Sequence, residues 1–197
     1  CPGAFAAELH QELGGEHRRP FAQVGRVLHV GIRRVDVTPV ARVQIETPFL
    51  FVRSDAAWKS VRDILQYAKA NPGKLTVGNS GFGSHTHLSA VWLFRAAGAQ
   101  ATDVPFNAAQ VVPSLLGGHV DAVVQLPGAL AGHVNAGTVR ALVALSVSRD
   151  PSFPDVPTAK EAGWSAVAEL WRGVAAPKGT PPRVVFHTAE NVVAQNT

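Results

Sequence analysis

Short apolar runs alternate with segments of helical periodicity from Val35 to the end of the chain. The apolar runs are Phe49–Val52, Leu75–Val77, Val120–Val124 and Val139–Val147. Runs of this length that alternate with helices are typical of the strands of an α/β fold. Residues 1–34 show no readable pattern, and we leave that segment unassigned.

Two helices are predicted between the first runs. The first extends from about residue 56 to residue 70 and stops at Asn71-Pro72-Gly73. Its apolar positions are Trp58, Val61, Leu65 and Ala68. The second begins after Ser84 and ends at Gly98. Its apolar positions are Leu88, Val91 and Trp92.

Two further helix starts are predicted near the end of the chain. Thr158 and Glu161 have the spacing of a capping box, and Gly163 is the expected stop. Pro181 and Pro182 follow Thr180, and proline is favoured in the first turn of a helix.

The chain is expected to form two lobes joined by two crossing segments, residues 102–106 and 166–175. The first lobe would comprise residues 35–103 and 168–197, and the second lobe residues 104–167. No internal repeat or low-complexity tract is present.

The stretch KLTVGNSGFGSHTHLSA, residues 74–90, carries the clearest chemistry. A strand ending at Val77, a glycine-rich turn and a helix starting near Ser84 place backbone N–H groups at the positive end of a helix dipole, which predicts an anion site. Gly81 and Gly83 allow a ligand to approach the backbone, and the Ser84 hydroxyl can cap the helix or donate to the anion. An ordinary glycine-rich turn with a serine cap is the alternative.

Composition and charge exclude several classes. The chain has 197 residues, 46% of them hydrophobic, and its net charge of +4 comes from scattered basic residues, so a nucleic-acid surface is not expected. No apolar stretch approaches the ~20 residues needed to span a bilayer. The single cysteine, Cys1, excludes an intramolecular disulfide. It leaves two alternatives, an ordinary start or the acylated first residue of a lipoprotein.

Other chemistries fit the sequence less well. The spacing of the glycines is neither a dinucleotide fingerprint nor a P-loop. Zinc bound by His85 and His87 would need a third ligand that the pattern does not supply. No G-x-S-x-G elbow is present. We therefore expect neither a metal nor another cofactor, although a small α/β enzyme using the turn as an oxyanion or phosphate site remains an alternative.

Several motifs in a fixed order carry a resemblance to a known family. They are G-N-S-G-F-G-S-H-T-H-L, V-P-F at 104–106, L-L-G-G-H-V-D at 115–121, P-D-V-P-T at 154–158 and A-P-K-G-T-P at 176–181. Together they resemble the Bug or TctC family of solute-binding receptors. The resemblance covers residues 35–197 and implies a type 2 periplasmic-binding-protein fold, the two-lobe Venus flytrap, here truncated at both ends.

The resemblance also implies the site. In the first lobe the cleft would be lined by Asn79, Ser80, Gly81, Gly83, Ser84 and His85. In the second lobe Phe106 and Asn107 stand where the family carries Tyr-Lys or Tyr-Arg, and Gln125 stands at a strand end where Asp-Asn is common. His87 matches a helix histidine that is expected to orient the loop.

The implied function is capture of a small carboxylate, without covalent change, for a tripartite tricarboxylate-type transporter. Its membrane subunits would be the partners, nucleic acid would not be one, and the chain would work in the periplasm without entering the membrane. A receptor remnant that has lost ligand binding is a further alternative.

Overall fold

The computed structural model describes residues 37–185. The strands are β1 (Val37–Glu46), β2 (Phe49–Arg53), β3 (Thr76–Asn79), β4 (Thr102–Pro105), β5 (Ala122–Gln125), β6 (Val139–Ala144) and β7 (Leu170–Pro177). The helices between them are α1 (Val61–Ala70), α2 (His85–Ala96), α3 (Val111–Leu116) and α4 (Ala131–Asn135), and a 3-10 turn spans Pro127–Ala129. The expected α/β fold is therefore observed.

The chain divides into two compact units. Residues 42–172 form the larger unit, which contains a five-stranded sheet and the helices α1 to α4. The described part of the smaller unit comprises residues 37–41 and 173–185. In that unit residues 182–185 are helical, as the proline-rich start predicts. Strand β1 pairs with β7 in a separate two-stranded sheet.

The interior strand β2 is buried on both faces. Phe49, Leu50, Phe51 and Val52 are each 0% exposed. Because side chains alternate along a strand, Leu50 and Val52 join one hydrophobic core, and Phe49 and Phe51 join another. Helices α1 and α2 supply apolar residues to the first core, and α3 supplies them to the second. The sheet is thus the middle layer of three.

The strand order is β4-β3-β5-β2-β6. Strand β3 runs parallel to both of its neighbours, β4 and β5, whereas β2 is antiparallel to β5 and β6. The carboxyl ends of β3, β4, β5 and β6 therefore lie at one edge of the sheet. Crevices at this edge are where open α/β sheets bind ligands.

Helix α1 starts later than the pattern predicts. Its N-cap is Ser60, whose hydroxyl accepts from the Asp63 N–H at 3.3 Å, and the Asp63 carboxylate accepts from the Ser60 N–H at 2.9 Å. This capping box fixes Val61 as the first helical residue. Trp58 consequently lies outside the helix, although it still packs against the first core.

Helix α2 confirms the predicted start after Ser84 but not its apolar face. The residues it buries in the core are Ala90, Leu93 and Phe94. Leu88 and Trp92 are 56% and 50% exposed. Helical periodicity allowed either face, because apolar residues occur all round this helix.

The Thr158 capping box forms without the expected helix. The Glu161 carboxylate accepts from the Thr158 N–H at 2.8 Å, and the Thr158 hydroxyl accepts from the Glu161 N–H at 3.1 Å. Only turns follow, up to Gly163. Thr158 also forms a bridge with Ala144 at the end of β6. The reciprocal bonds therefore anchor a turn to the sheet.

The predicted boundary between lobes, at residues 103–104, falls inside β4. Strands β2 and β3, assigned to the first lobe, are hydrogen-bonded to β5, assigned to the second. The crossing expected at residues 102–106 is instead the edge strand β4. A hydrogen-bonded sheet folds as one layer, so the described strands from Phe49 to Ala144 do not separate at this boundary.

A substitution at Gly78 tests how tightly the second core packs against β3. A Cβ added there would lie 3.0 Å from Val123 Cγ1, 3.2 Å from Phe106 Cε2 and 3.3 Å from Val120 Cγ2. We expect Gly78→Ala to lower the free energy of unfolding by about 1–3 kcal/mol, because overpacking forces neighbours off their preferred positions. For a chain of this size that corresponds to a melting temperature lower by about 2–4 °C per kcal/mol.

Gly132→Ala is the matched control. Gly132 lies in α4, and a Cβ there would meet no atom within 4 Å. Alanine is preferred to glycine in a helix by about 0.5–1 kcal/mol, so this variant should melt at an equal or higher temperature. Equal melting temperatures for the two variants in thermal denaturation would contradict the packing argument.

Candidate functional site

The candidate site lies at the edge of the sheet where β3 and β5 end. The loop that leaves β3 runs from Ser80 to Ser84 and leads directly into α2. Gln125, the last residue of β5, donates from Nε2 to the Ser80 hydroxyl at 3.1 Å. This bond joins the ends of two neighbouring parallel strands, which is where the connections diverge to opposite faces of the sheet.

Two glycines give the loop its shape. Gly81 and Gly83 have φ values of 108° and 77°, a left-handed region that side chains with a Cβ rarely adopt. The Gly81 N–H donates to Asn79 Oδ1 at 3.1 Å, and the Ser84 N–H donates to the Gly81 carbonyl at 3.1 Å. The N–H groups of Gly81 and Ser84 are therefore bonded within the loop and are not free to hold an anion.

The start of α2 is held by two side-chain hydroxyls. The Ser84 hydroxyl caps the helix by accepting from the His87 N–H at 3.2 Å. The Thr86 hydroxyl accepts from the Ser80 N–H at 2.9 Å and lies 3.1 Å from the Ser84 hydroxyl. Thr86 is not among the residues predicted from the sequence, and the signal for it was a hydroxyl two residues after the expected cap.

His87 orients the loop, as the resemblance implies. Its Nδ1 accepts from the Gly83 N–H at 3.1 Å, and the exposed Phe82 ring lies 4.6 Å from its ring. His87 occupies the third position after the cap, where α1 carries Asp63. An imidazole thus ties the loop amide as a carboxylate does in α1, but it carries no negative charge to offset the positive helix end.

Four hydrogen-bond donors remain at this helix start. Within residues 37–185 no acceptor is found for the backbone N–H groups of His85 and Thr86. The Asn79 side chain is 0% exposed, and its Nδ2 has no partner in that range. The paired Ser84 and Thr86 hydroxyls have two hydrogens, and their mutual bond uses one. The second hydrogen is available to a ligand.

His85 lies between the loop and the segment that enters β7. Its Nδ1 is buried and has no partner among the described residues. Burial lowers the pKa of His85, and the backbone carbonyls of Ala168 and Glu169 only partly oppose this by favouring the protonated ring. The ring is therefore neutral at neutral pH. Ala168 is itself tied to the end of β6 through its N–H, which donates to the Leu145 carbonyl at 2.8 Å.

A carboxylate stands behind the loop on β4. Asp103 Oδ2 lies 3.8 Å from His87 Nε2, which is beyond hydrogen-bonding distance. Burial raises the pKa of Asp103, and attraction to His87 partly offsets that rise.

The other expected site residues play different parts. Phe106 donates its N–H to the Asn79 carbonyl at 3.0 Å, and its ring packs against the second core beneath Gly78. Asn107 is exposed, and its side chain accepts from the Gln110 N–H at 3.1 Å. Gln125 is buried and bonded to Ser80. Phe106 and Gln125 thus support the loop, whereas Asn107 shapes the turn before α3.

Other features of the described chain lie elsewhere or are absent. A cavity of about 430 Å³ lies at the opposite edge of the sheet, and its lining includes Ser54, Arg140 and Phe153. It contains none of the expected site residues. Residues 37–185 contain no group of three or more histidine, cysteine or acidic residues able to hold a metal ion. No helix in that range is long and apolar enough to cross a membrane.

The pKa of His85 predicts how stability depends on pH. Because that pKa is lower in the folded chain than in the unfolded chain, the unfolded chain binds a proton more readily below about pH 6.5. Stability should be lost as pH falls below this value. We expect His85→Asn to remove this contribution, so that its melting temperature falls less between pH 7.5 and 5.5. Parallel pH profiles for the two proteins would contradict this assignment.

Relatives of known sequence cover most of this chain. The pattern of the tripartite tricarboxylate transporter family receptors, TctC, matches residues 29–195. The UPF0065 protein in the gbd 5′ region of Cupriavidus necator is 39% identical over 137 residues, which are 69% of this chain and 42% of that protein. BugT of Bordetella pertussis is 33% identical over 152 residues, which are 76% of this chain and 47% of BugT. The chain spans about half the length of these curated relatives.

Solved structures agree with the sequence relatives. A TctC solute-binding protein from Polaromonas, solved without ligand, has a TM-score of 0.71 and 32% identity, and the match covers 89% of this chain and 59% of that one. MatC from Rhodopseudomonas palustris, solved with bound malate, has a TM-score of 0.68 and 31% identity, covering 81% and 55%. The periplasmic binding protein BugD has a TM-score of 0.68 and 29% identity, covering 80% of this chain and 54% of that one. Together these neighbours show the periplasmic-binding-protein fold.

The family is one of solute-binding receptors rather than enzymes, so it does not support the enzyme alternative. Its pattern matches well over half of this chain, and the fold and the order of motifs agree with it. The chain belongs to the TctC family of tripartite tricarboxylate transporter receptors.

Proposed function

We propose that this chain binds a small carboxylate at the start of α2. The observation that carries the proposal is Asn79, a fully buried side chain whose Nδ2 has no partner in the described chain. A buried donor left unpaired costs about 1–3 kcal/mol, so its presence favours a ligand that supplies the acceptor. Asn79 Oδ1 already accepts from the Gly81 N–H, which keeps the amide within the loop.

Charge supports an anionic ligand. The first turn of α2 contains no acidic residue, whereas the first turn of α1 contains Asp63. No side chain of its own first turn therefore offsets the positive end of the α2 dipole, and an anion beside it is stabilised by about 0.3–1 kcal/mol or more when partly buried. The free amides of His85 and Thr86 lie at this same end.

The available donors suit one carboxylate group. Asn79 Nδ2, the two amides and one hydroxyl hydrogen can share the two oxygens of a carboxylate, which together accept about four hydrogen bonds. Four charge-assisted bonds contribute about 6–12 kcal/mol gross, against an association cost of about 4–15 kcal/mol. Binding at this loop alone should therefore be weak, with a dissociation constant in the millimolar range or above.

We further propose the role of a receptor for a tripartite tricarboxylate-type transporter, with its membrane subunits as partners and the periplasm as its location. Membership of the TctC family supports this role. The relative MatC holds malate, a dicarboxylate. Capture of a ligand by a receptor requires no covalent step, which accords with a site made of amides, hydroxyls and a side-chain amide.

The sheet topology favours a revised division of the receptor. We propose that residues 42–172 form one lobe, because their strands share one sheet and two cores. The segments that leave this lobe would then be β1 and β7, rather than residues 102–106. The site at the end of β3 would belong to this lobe.

Asn79→Asp tests the proposed site. The carboxylate of aspartate can still accept from the Gly81 N–H, so the loop is retained, but the donor is lost and a negative charge faces the ligand. We expect the affinity for malate, measured by calorimetry on the full chain, to fall at least about tenfold. Thermal melting of the variant checks that it folds.

Asn135→Asp is the matched control. Asn135 is exposed at the end of α4, so the same change adds the same charge away from the loop. Its affinity for malate should equal that of the unmodified chain. Equal malate affinity in all three proteins, or no binding of malate and succinate by the unmodified chain, would refute the proposed site.

A further inference from the structure

Phe82 is the most exposed large apolar side chain among the residues that the structure describes. It is 85% exposed, against 56% for Leu88 and 50% for Trp92 on the helix that follows. A single exposed apolar residue is ordinary on a protein surface, so its position decides what it means. Phe82 lies in the loop of the proposed binding site, midway between Ser80 and Ser84.

The loop places Phe82 at its outer corner. The Ser84 N–H donates to the Gly81 carbonyl at 3.1 Å, which closes a four-residue turn with Phe82 and Gly83 in the middle. Gly83 has a φ of 77°, and no described residue other than glycine has a positive φ. This combination defines a type II turn, in which Phe82 occupies the second position. Its side chain therefore points away from the turn.

One side of the Phe82 ring is supported by the protein. Its centroid lies 4.6 Å from that of the His87 ring, and the two planes are inclined by 35°. This distance is within the range of favourable aromatic pairs. His87 is only 7% exposed, and its Nδ1 accepts from the Gly83 N–H at 3.1 Å. The Phe82 ring is thus held against a buried neighbour, and the rest of its surface is open.

The same histidine connects the ring with the proposed carboxylate site. The His87 N–H donates to the Ser84 hydroxyl at 3.2 Å, and that hydroxyl lies 3.1 Å from the Thr86 hydroxyl. This pair of hydroxyls and the Thr86 N–H are among the donors proposed for the carboxylate. The apolar ring and the polar donors are therefore parts of one junction between loop and helix.

Charged side chains give no support for a second carboxylate at this junction. Within the described part of the chain, no lysine or arginine forms a hydrogen bond or an ion pair with residues 79–87. The charged partner that the junction does have is acidic, because Asp103 Oδ2 lies 3.8 Å from His87 Nε2. A ligand with one carboxylate and an apolar remainder fits these surroundings better than one with two carboxylates.

We propose that Phe82 determines specificity at this site, which prefers monocarboxylates that carry an aromatic ring beside the carboxylate group. The carboxylate meets the donors at the start of α2, and the ring of the ligand packs on the open surface of Phe82. This inference rests on the proposed function. Contact between two rings removes apolar surface from water on both partners, and a short acid such as acetate forgoes that gain.

Acetate and phenylacetate provide the test, because each carries one negative charge and phenylacetate adds only a phenyl ring. Titration of the full chain at pH 7.5 is followed through the backbone amide chemical shifts of His85 and Thr86. The affinity for phenylacetate should be at least about tenfold higher than for acetate. In Phe82→Ala this ratio should fall to within about twofold, and in Phe82→Leu, which keeps an apolar side chain without a ring, it should be intermediate.

Trp92→Ala is the matched control. Trp92 is also an exposed aromatic residue, but it lies in α2 about two turns beyond His85. Its removal should leave the ratio unchanged, whereas general attraction of a phenyl ring to exposed aromatic residues would lower it. The acetate affinity of Phe82→Ala tests a purely structural role. If it falls as far as the phenylacetate affinity, the ring only shapes the loop and the inference is overturned.

The outcomes separate this inference from the proposed function. Equal affinities for the two acids in the unmodified chain, with the loss of malate affinity in Asn79→Asp retained, would overturn the aromatic preference and leave carboxylate binding standing. A ratio that persists in Phe82→Ala, or that falls in Trp92→Ala, would also overturn it. If acetate, phenylacetate and malate all fail to bind, the proposed function fails and this inference fails with it.

Discussion

Burial of β2 on both faces is the constraint on which the rest of the larger unit depends. A strand with four consecutive fully buried apolar residues needs a core on each side, so helices must cover both faces of the sheet. Helices on opposite faces require the connections to diverge at one edge. The loop after β3 and the end of β5 meet where they diverge, and the candidate site lies there.

Local patterns predicted the elements well, and non-local pairing is what they missed. The apolar runs at Phe49 and Val139 are strands, and Ser84 caps a helix, because each depends on residues close in sequence. The pairing of β2 with β5 joins residues about seventy positions apart and was assigned to two lobes instead. The Thr158 capping box forms as its spacing predicts, but Thr158 also forms a bridge with Ala144, and the segment is a turn rather than a helix. Spacing alone contains no information about such tertiary partners.

The same distinction applies to the site. Strand, glycine loop and helix start could be read from residues 74–90, and so could the need for positive φ at Gly81 and Gly83. The backbone amides that remain free could not be predicted from the sequence. They depend on the side chains of Asn79 and His87, which accept from the N–H groups of the loop glycines. The role of Thr86 could not be predicted either, because its hydroxyl meets the Ser80 N–H only in the folded loop.

Helix α1 and helix α2 begin with the same serine cap and differ at the third residue after it, Asp63 in one and His87 in the other. In α1 the Asp63 carboxylate belongs to the chain itself, so an anion is always present at that helix start. In α2 the histidine performs the loop-tying task without supplying that anion. At the proposed site, an acidic side chain at position 87 would therefore compete with the ligand for the same helix end.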